Sequence, residues 1–304
     1  MLKTNYPYLC LGSAQFGMQY GITNKSIKPT ENDIFEILKL AKKSKIKFID
    51  TAENYGNSEE IIGNCISREP ALNFEIITKL GLDNNQIWED SISLEWDKRF
   101  LKSLSKLNLT SVNSYLIHNP LLLYRNDFEI LLNWLISLKK RKLVKRIGIS
   151  IYTEKDIEKI NLKDIDIIQL PLSIYDQRMI NNGVIKSLKN YNVDIHIRSI
   201  FLQGLMLQRP ENWPKFISER FRNHHFIFCN EIKKYNISLL EASLIFAKNI
   251  KDIECILIGI GNIKELREIL HIWEKINNEK RLDFNDFSWQ NLIDLDPRNW
   301  NHKN

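Results

Sequence analysis

The chain has 304 residues, 43% of them hydrophobic and 26% charged, with a formal net charge of +6. That length buries a sizeable core, and that balance belongs to a water-soluble globular protein, which excludes disordered and fibrous classes. The positive excess is interleaved with acids, as in "DIEKINLKDID", and so describes solvated helix faces rather than a nucleic-acid-binding stripe.

No run approaches the roughly 18 uninterrupted apolar residues of a membrane span. The start, "MLKTNYPYLCLG", lacks a charged segment followed by a long apolar one. A cytoplasmic protein is expected, with neither nucleic acid nor membrane as partner. Cys10, Cys65, Cys229 and Cys255 are widely separated and form no CxxC pair, so free thiols and no metal site are expected.

Short β-rich apolar runs recur along the chain: "YLCLGSA" (8–14), "KFIDTA" (47–52), "FEIITKL" (74–80) and "VNSYLIHN" (112–119). Four more follow: "VKRIGIS" (144–150), "DIIQLPLS" (166–173), "DIHIRSI" (194–200) and "IECILIG" (253–259). Helical periodicity fills the gaps, as in "ENDIFEILKLAKKSK", "DFEILLNWLISLKKRK" and "NEIKKYNISLLEASLIFAKN". Strands alternating with helices predict parallel pairing through right-handed crossovers. Eight such units without a linker predict a single-domain (β/α)8 TIM barrel over residues 1–304. Two regions interrupt the alternation. A long irregular loop is expected at 203–227, and an aromatic tail from Asn277 onward; either lids the catalytic face or merely covers apolar surface.

Barrel enzymes assemble their sites at the C-terminal ends of the strands. Those ends carry Asp50, Lys79 and His118 on three successive strands, with Tyr55 in the loop after the first of them. Taken singly, Asp50 would serve as a turn cap, Lys79 as a snorkelling side chain and His118 as a satisfied core histidine. Convergence changes that reading, because charge at the ends of apolar strands is costly unless paired. Together they suit proton transfer at a carbonyl. A phenol has an ordinary pKa of about 10. A lysine beside it would lower that value, a carboxylate would hold the lysine, and a histidine would orient the carbonyl oxygen.

In order and approximate spacing, "FIDTAENYGNSEEIIG", "ITKL" and "YLIHNP" are similar to the second-strand, lysine and histidine segments of the aldo-keto reductases. The resemblance runs over almost the whole chain. It implies an NAD(P)-dependent reductase of an aldehyde, ketone or keto-sugar, with Asp50, Tyr55, Lys79 and His118 as the catalytic set. It also implies NADP or NAD bound in extended form across the barrel mouth, and the sequence shows no GxGxxG after its first strand. By the same resemblance Gly12, Ser13, Ala14 and Gln15 approach the nicotinamide, and Ser150 and Gln169 bind its carboxamide. Arg198 stands where many relatives stack a tyrosine, and Ser199, Phe201 and Gln203 line the diphosphate path. "AQFGMQYGI" resembles a branch associated with sugar-like substrates, which points to a sugar or nucleotide-sugar.

The sequence departs from the family pattern at three places. Ile151 replaces the usual asparagine after Ser150, and the start leaves little room for a hairpin plugging the barrel bottom. Gly259 and Gly261 are assigned to the cofactor by the same resemblance, but with Ile260 they offer no cation where NADPH-preferring relatives carry one, leaving Lys264 or Arg267 as candidates. Discrimination below about a hundredfold, with NADH usable, is therefore expected. Two alternatives stay open: a Schiff-base aldolase or lyase using Lys79, and a non-catalytic cofactor-binding regulatory subunit.

Overall fold

Eight short strands each pair in parallel with the next in sequence, and the last closes on the first. They are β1 (Tyr8–Gly12), β2 (Phe48–Asp50), β3 (Glu75–Leu80), β4 (Val112–Ile117), β5 (Val144–Ser150), β6 (Ile167–Pro171), β7 (Asp194–Arg198) and β8 (Cys255–Gly259). The computed structural model describes residues 7–23, 28–89, 91–276 and 282–300. Closure sets Gly12 beside Gly259, while Ser150 lies beside Gln169.

The longer helices are α1 (Glu31–Lys43), α2 (Ser58–Arg68), α3 (Ile92–Leu107), α4 (Phe128–Lys140), α5 (Val184–Asn190), α6 (Glu219–Lys234), α7 (Leu239–Asn249) and, after β8, α8 (Ile263–Lys275). Between β5 and β6 only 3₁₀ turns occur, at Glu154–Lys159 and Leu162–Asp164. Helix α1 shows how the sequence sets such an element. Thr30 and Asp33 form a capping box, while Ile34, Phe35, Ile37, Leu38 and Ala41 bury one face. A cap of this kind is worth about 1 kcal/mol, and each large apolar side chain buried against the strands contributes about 1.5–3 kcal/mol.

Alternation along each strand separates two cores. Outward residues join the helices in one extensive apolar layer. The barrel interior holds a thin second cluster of Cys10, Phe48, Ile77, Leu116, Ile167, Cys255 and Leu257. Strand β7 turns Ile195 and Ile197 to the helices and Asp194, His196 and Arg198 inward, so the inner apolar band is bounded by polar groups at both ends. All four cysteines are free thiols.

The lower end is closed by an ion network. Arg146 donates to Asp194 and Glu254, each at 2.8 Å, and to Asn113 Oδ1 at 2.9 and 3.2 Å. Asn113 donates to Glu75 at 2.6 Å, and His196 Nε2 lies 2.7 Å from Glu254. Burial alone would raise the Glu254 pKa, but the hydrogen bond and charge of His196, then of Arg146, bring it down to about 2.

The structure revises the interruptions. Within 203–227 the irregular part ends at Ser218, and residues 219–227 already belong to α6. Ser218 accepts from Phe221 N and starts that helix, whose inner face is Phe221, His225, Phe228 and Ile232. The single predicted helix "NEIKKYNISLLEASLIFAKN" is two, because Asn236 turns left-handed (φ 53°) and Ser238 caps α7. The described part of the tail packs on α6: Trp289 stacks on Phe221 (5.1 Å between centroids) and Phe287 meets Phe228 (4.9 Å). Residues 277–281 and 301–304 of the tail lie outside the described residues.

Candidate active site

Tyr55 is positioned by contacts between backbones rather than by its own side chain. Ser13 N donates to Asp50 O, Tyr55 N to Ala52 O, and Ser58 N to Tyr55 O, so the turn after β2 is tied to the end of β1. Gly17 lies so close that a Cβ there would overlap the Tyr55 carbonyl. Gly56 adopts a left-handed φ of 58° against Gly17, a combination that glycine alone meets without strain. "YG" at 55–56 is thus a clamp. It holds the phenol over the barrel mouth.

Beneath it, Lys79 and Asp50 form a pair that is fully withdrawn from solvent. Lys79 Nζ donates to Asp50 Oδ2 at 2.6 Å and to Thr51 O at 2.9 Å, while Gln169 Nε2 donates to Asp50 Oδ1 at 2.8 Å. The ammonium lies 5.3 Å from the Tyr55 ring centroid, and the His118 ring meets Tyr55 edge-on at 5.5 Å. Burial pushes the Tyr55 phenol well above 10, and the Asp50 charge adds to the rise. Burial also lowers the Lys79 pKa, against the attraction of Asp50. His118 is brought down to about 3 by burial, then by the charges of Lys79 and Arg198, so its imidazole is neutral near pH 7. The lowered phenol pKa expected from sequence is not the resting state of this site: Asp50, which anchors Lys79, also opposes the phenolate.

Tyr55 and His118 open into a cavity of about 1180 Å³ across the C-terminal ends of the strands. Of the residues assigned to the cofactor, Gly12, Ala14, Gln15, Ser150, Gln169, Arg198, Ser199, Phe201, Gln203 and Gly259 line it. Ser13 and Gly261 do not. Ser13 is buried behind the wall, its hydroxyl accepting from Ser58 at 2.8 Å, and the Gly261 amide donates to Glu265 at 2.7 Å. Gln169 lines the cavity and also donates to Asp50. Ile151 is buried, and its carbonyl accepts from Arg198 at 2.9 Å. The Arg198 guanidinium stacks on Tyr152 at 4.1 Å, and Arg298 of the tail stacks on the same ring at 3.5 Å. Ser199, Leu202 and Gln203 all carry positive φ, a run of uncommon backbone conformations beside the cavity.

Sequence reasoning missed several lining residues. Tyr20, Asn54, Tyr152 and Glu265 face the same cavity, whereas Lys264 and Arg267 do not line it. Glu265 carried a signal in the spacing "NIKE", an acid three residues after a helix cap.

The model of the Aldo/keto reductase family matches residues 8–282. The chain belongs to the aldo/keto reductase family. It is an NAD(P)-dependent oxidoreductase on the barrel fold expected from its sequence. Solved relatives share that fold at low identity. An aldo-keto reductase from Bacillus halodurans superposes with a TM-score of 0.72 at 17% identity, over 92% of this chain and 91% of its own. A glycerol dehydrogenase from Gluconobacter oxydans gives 0.69 at 19% identity, over 97% and 94%. No curated protein matches the sequence significantly. Among the described residues, no helix of this aldo-keto reductase is long and apolar enough to cross a membrane.

Proposed function

We propose that this aldo-keto reductase reduces a small carbonyl compound, with Tyr55 as general acid and NADH or NADPH lying along the cavity. The observation that carries the reading is the meeting of Tyr55 and His118 in one cavity above a buried Asp50–Lys79 pair. The cavity suits such a cofactor. Its volume exceeds the roughly 300–1,000 Å³ of a single small-ligand site, leaving room for a dinucleotide beside a substrate. Gly12 and Gly259, side by side and without Cβ atoms, let an extended molecule approach the strand ends. Ser150 and Arg198 supply donors, and Gln15 Oε1 is a buried acceptor with no hydrogen-bond partner among the described residues. When bound, the reduced nicotinamide supplies the hydride.

The chain's own groups do the rest. Tyr55, protonated throughout the neutral range, donates its proton to the carbonyl oxygen as negative charge develops there. Neutral His118 hydrogen-bonds the same oxygen and fixes its direction. Lys79 stabilises charge left on the phenol, and Asp50 keeps Lys79 in place. In alcohol oxidation the phenol would act as base. Asn54, Gln208 and Asn212 at the cavity wall provide partners for hydroxyls, which together with "AQFGMQYGI" favours a sugar, nucleotide-sugar or polyol. The glycerol dehydrogenase among the structural relatives acts on a polyol by its name, which points the same way. Free cysteines suit a cytoplasmic setting.

A Schiff base at Lys79 is disfavoured by the geometry, since that amine does not line the cavity and is held by Asp50 and Thr51. Borohydride should trap no substrate on it. Turnover of a carbonyl panel with NADH and NADPH separates an enzyme from a regulatory subunit. Tyr55→Phe should lower kcat about 10²–10⁴-fold while leaving nucleotide affinity near wild type. Near wild-type turnover in that variant would overturn the assignment.

A further inference from the structure

One wall of the cavity is made by Leu207, Gln208, Asn212 and Pro214, in the irregular segment between β7 and α6. This segment joins no strand, and its own bonds are short turns, such as Gln208 N to Leu205 O and Trp213 N to Pro210 O. Side chains that reach its carbonyls hold it in place. Arg222 donates to Pro210 O and Trp213 O, each at 3.0 Å, and to Pro214 O. His225 Nε2 lies 2.7 Å from Gln208 O, and Trp213 Nε1 donates to Leu205 O at 2.8 Å. Arg222 and His225 stand three residues apart on α6 and so share a face. Neither lines the cavity.

His225 is fully buried, and its partners fix its tautomer. A carbonyl only accepts, so Nε2 carries the proton and donates to Gln208 O. Burial holds the pKa of the ring down to about 4, which leaves Nδ1 without a proton at pH 7. The buried Tyr175 hydroxyl is then the donor to Nδ1. Cys229 Sγ, 3.5 Å from Nε2, makes the weaker contact. Trp213 stacks on the imidazole with 4.5 Å between ring centroids. Packing alone would favour a hydrocarbon on this face of α6, since a buried polar ring is costly unless satisfied. Here both nitrogens are satisfied, and the bonds run one way, from Tyr175 through His225 to the wall.

We propose that His225 is a positioning residue for ligand binding. By fixing the Gln208 carbonyl, it sets where the Gln208 and Asn212 side chains present their amides to a hydroxyl-bearing ligand. The inference rests on the nicotinamide-dependent reading above, in which those hydroxyls belong to the carbonyl substrate or to a ribose of the nucleotide. His225 meets neither Tyr55 nor the reacting oxygen. Its loss should therefore move affinity and spare the chemical step.

The test is steady-state kinetics of the full chain with NADH or NADPH on the best compound of the carbonyl panel. His225→Phe keeps a ring against Trp213 but gives Gln208 O no donor. It should raise KM for the carbonyl compound or for the nucleotide at least about tenfold, with kcat within about threefold. Which of the two KM values moves identifies the hydroxyl-bearing ligand. Gln208→Ala should raise the same KM, and the double variant should be no worse than the more affected single one. His225→Gln keeps an amide donor in place of Nε2 and should hold KM within about threefold of wild type. Tyr175→Phe, which removes only the hydroxyl, is the milder second variant and should raise the same KM by about threefold. Unmoved KM values in folded His225→Phe and Tyr175→Phe, a fall in kcat alone, or additive effects in the double variant overturn the role of His225. So does a ring protonated at Nδ1 rather than Nε2 in nitrogen-detected NMR of the wild type. Each of these leaves the reductase reading intact. Turnover of no panel compound by folded wild-type protein overturns that reading and this inference together.

Discussion

The two mouths of the barrel solve the same electrostatic problem in opposite ways. Both hold charged side chains against a thin apolar band. At the lower end Arg146 pairs with Asp194, Glu254 and Asn113 directly. At the upper end Asp50 and Lys79 are paired more deeply, and Tyr55 and His118 above them border the cavity. A closed set of charges stabilises one structure, and an open set leaves reactive groups available to a ligand. Substitutions below should therefore alter stability and leave turnover alone, whereas those above should alter turnover.

The largest effect is expected for Lys79→Met. Removing one partner of a fully buried pair costs about 3–5 kcal/mol, and loss of the supporting charge should lower kcat by at least about 10²-fold. Denaturant melts and steady-state rates on the same samples check both. Next, Arg146→Ala should cost about 1–3 kcal/mol, because Glu254 and the half-exposed Asp194 lose their shared cation, with kcat nearly unchanged. A turnover defect there would break the division between the two ends.

Acid titration sharpens the comparison further. Glu254 is depressed from 4.5 to about 2, so the unfolded chain binds more protons than the native one in between. Its contribution is complete above about pH 4.5 and is lost as pH falls toward 2. The loss should reach at most about 3 kcal/mol, since the side chain is a quarter exposed. Unfolding measured across that range should show a shallower slope in Glu254→Gln. The smallest effect is an absence of change at the upper end. With the His118 pKa near 3, its ring signals in nitrogen-detected NMR should stay those of neutral imidazole from pH 8 to 5. A titration near 6.5 would show that the upper mouth is far wetter than its geometry implies.

The strands were legible because each is a short β-rich run, and Asp50, Lys79 and His118 stood out because ionisable groups end three of them. The lower network was not legible. Nothing local to Arg146, Asp194 or Glu254 links them, since closure of the barrel alone brings β5, β7 and the start of β8 together. Helix α6 was obscured for a local reason: its buried face includes His225, which accepts from the Tyr175 hydroxyl and lies 2.7 Å from the Gln208 carbonyl. A histidine on that face hides the apolar stripe. Ser13 was placed on the cofactor by resemblance, but its contact with Ser58, 45 residues on, is one that no local pattern encodes. Glu265 was visible and was passed over because that stretch was read for cations.

The alternation along β7 also bears on how the barrel can close. Asp194 belongs to the lower network, His196 lies beside the inner apolar band, and Arg198 reaches the upper cavity, all on one five-residue strand. A slip of one residue against β6 and β8 would exchange the two faces of the strand. Ile195 and Ile197 would then point into the polar ends, and two ionic side chains and an imidazole would enter the apolar layer beneath the helices without partners. Burying such groups unpaired costs far more than the isoleucines could return. Misregistered closure at this seam is thereby disfavoured as the chain folds, and β7 acts as a ruler that sets both mouths at once.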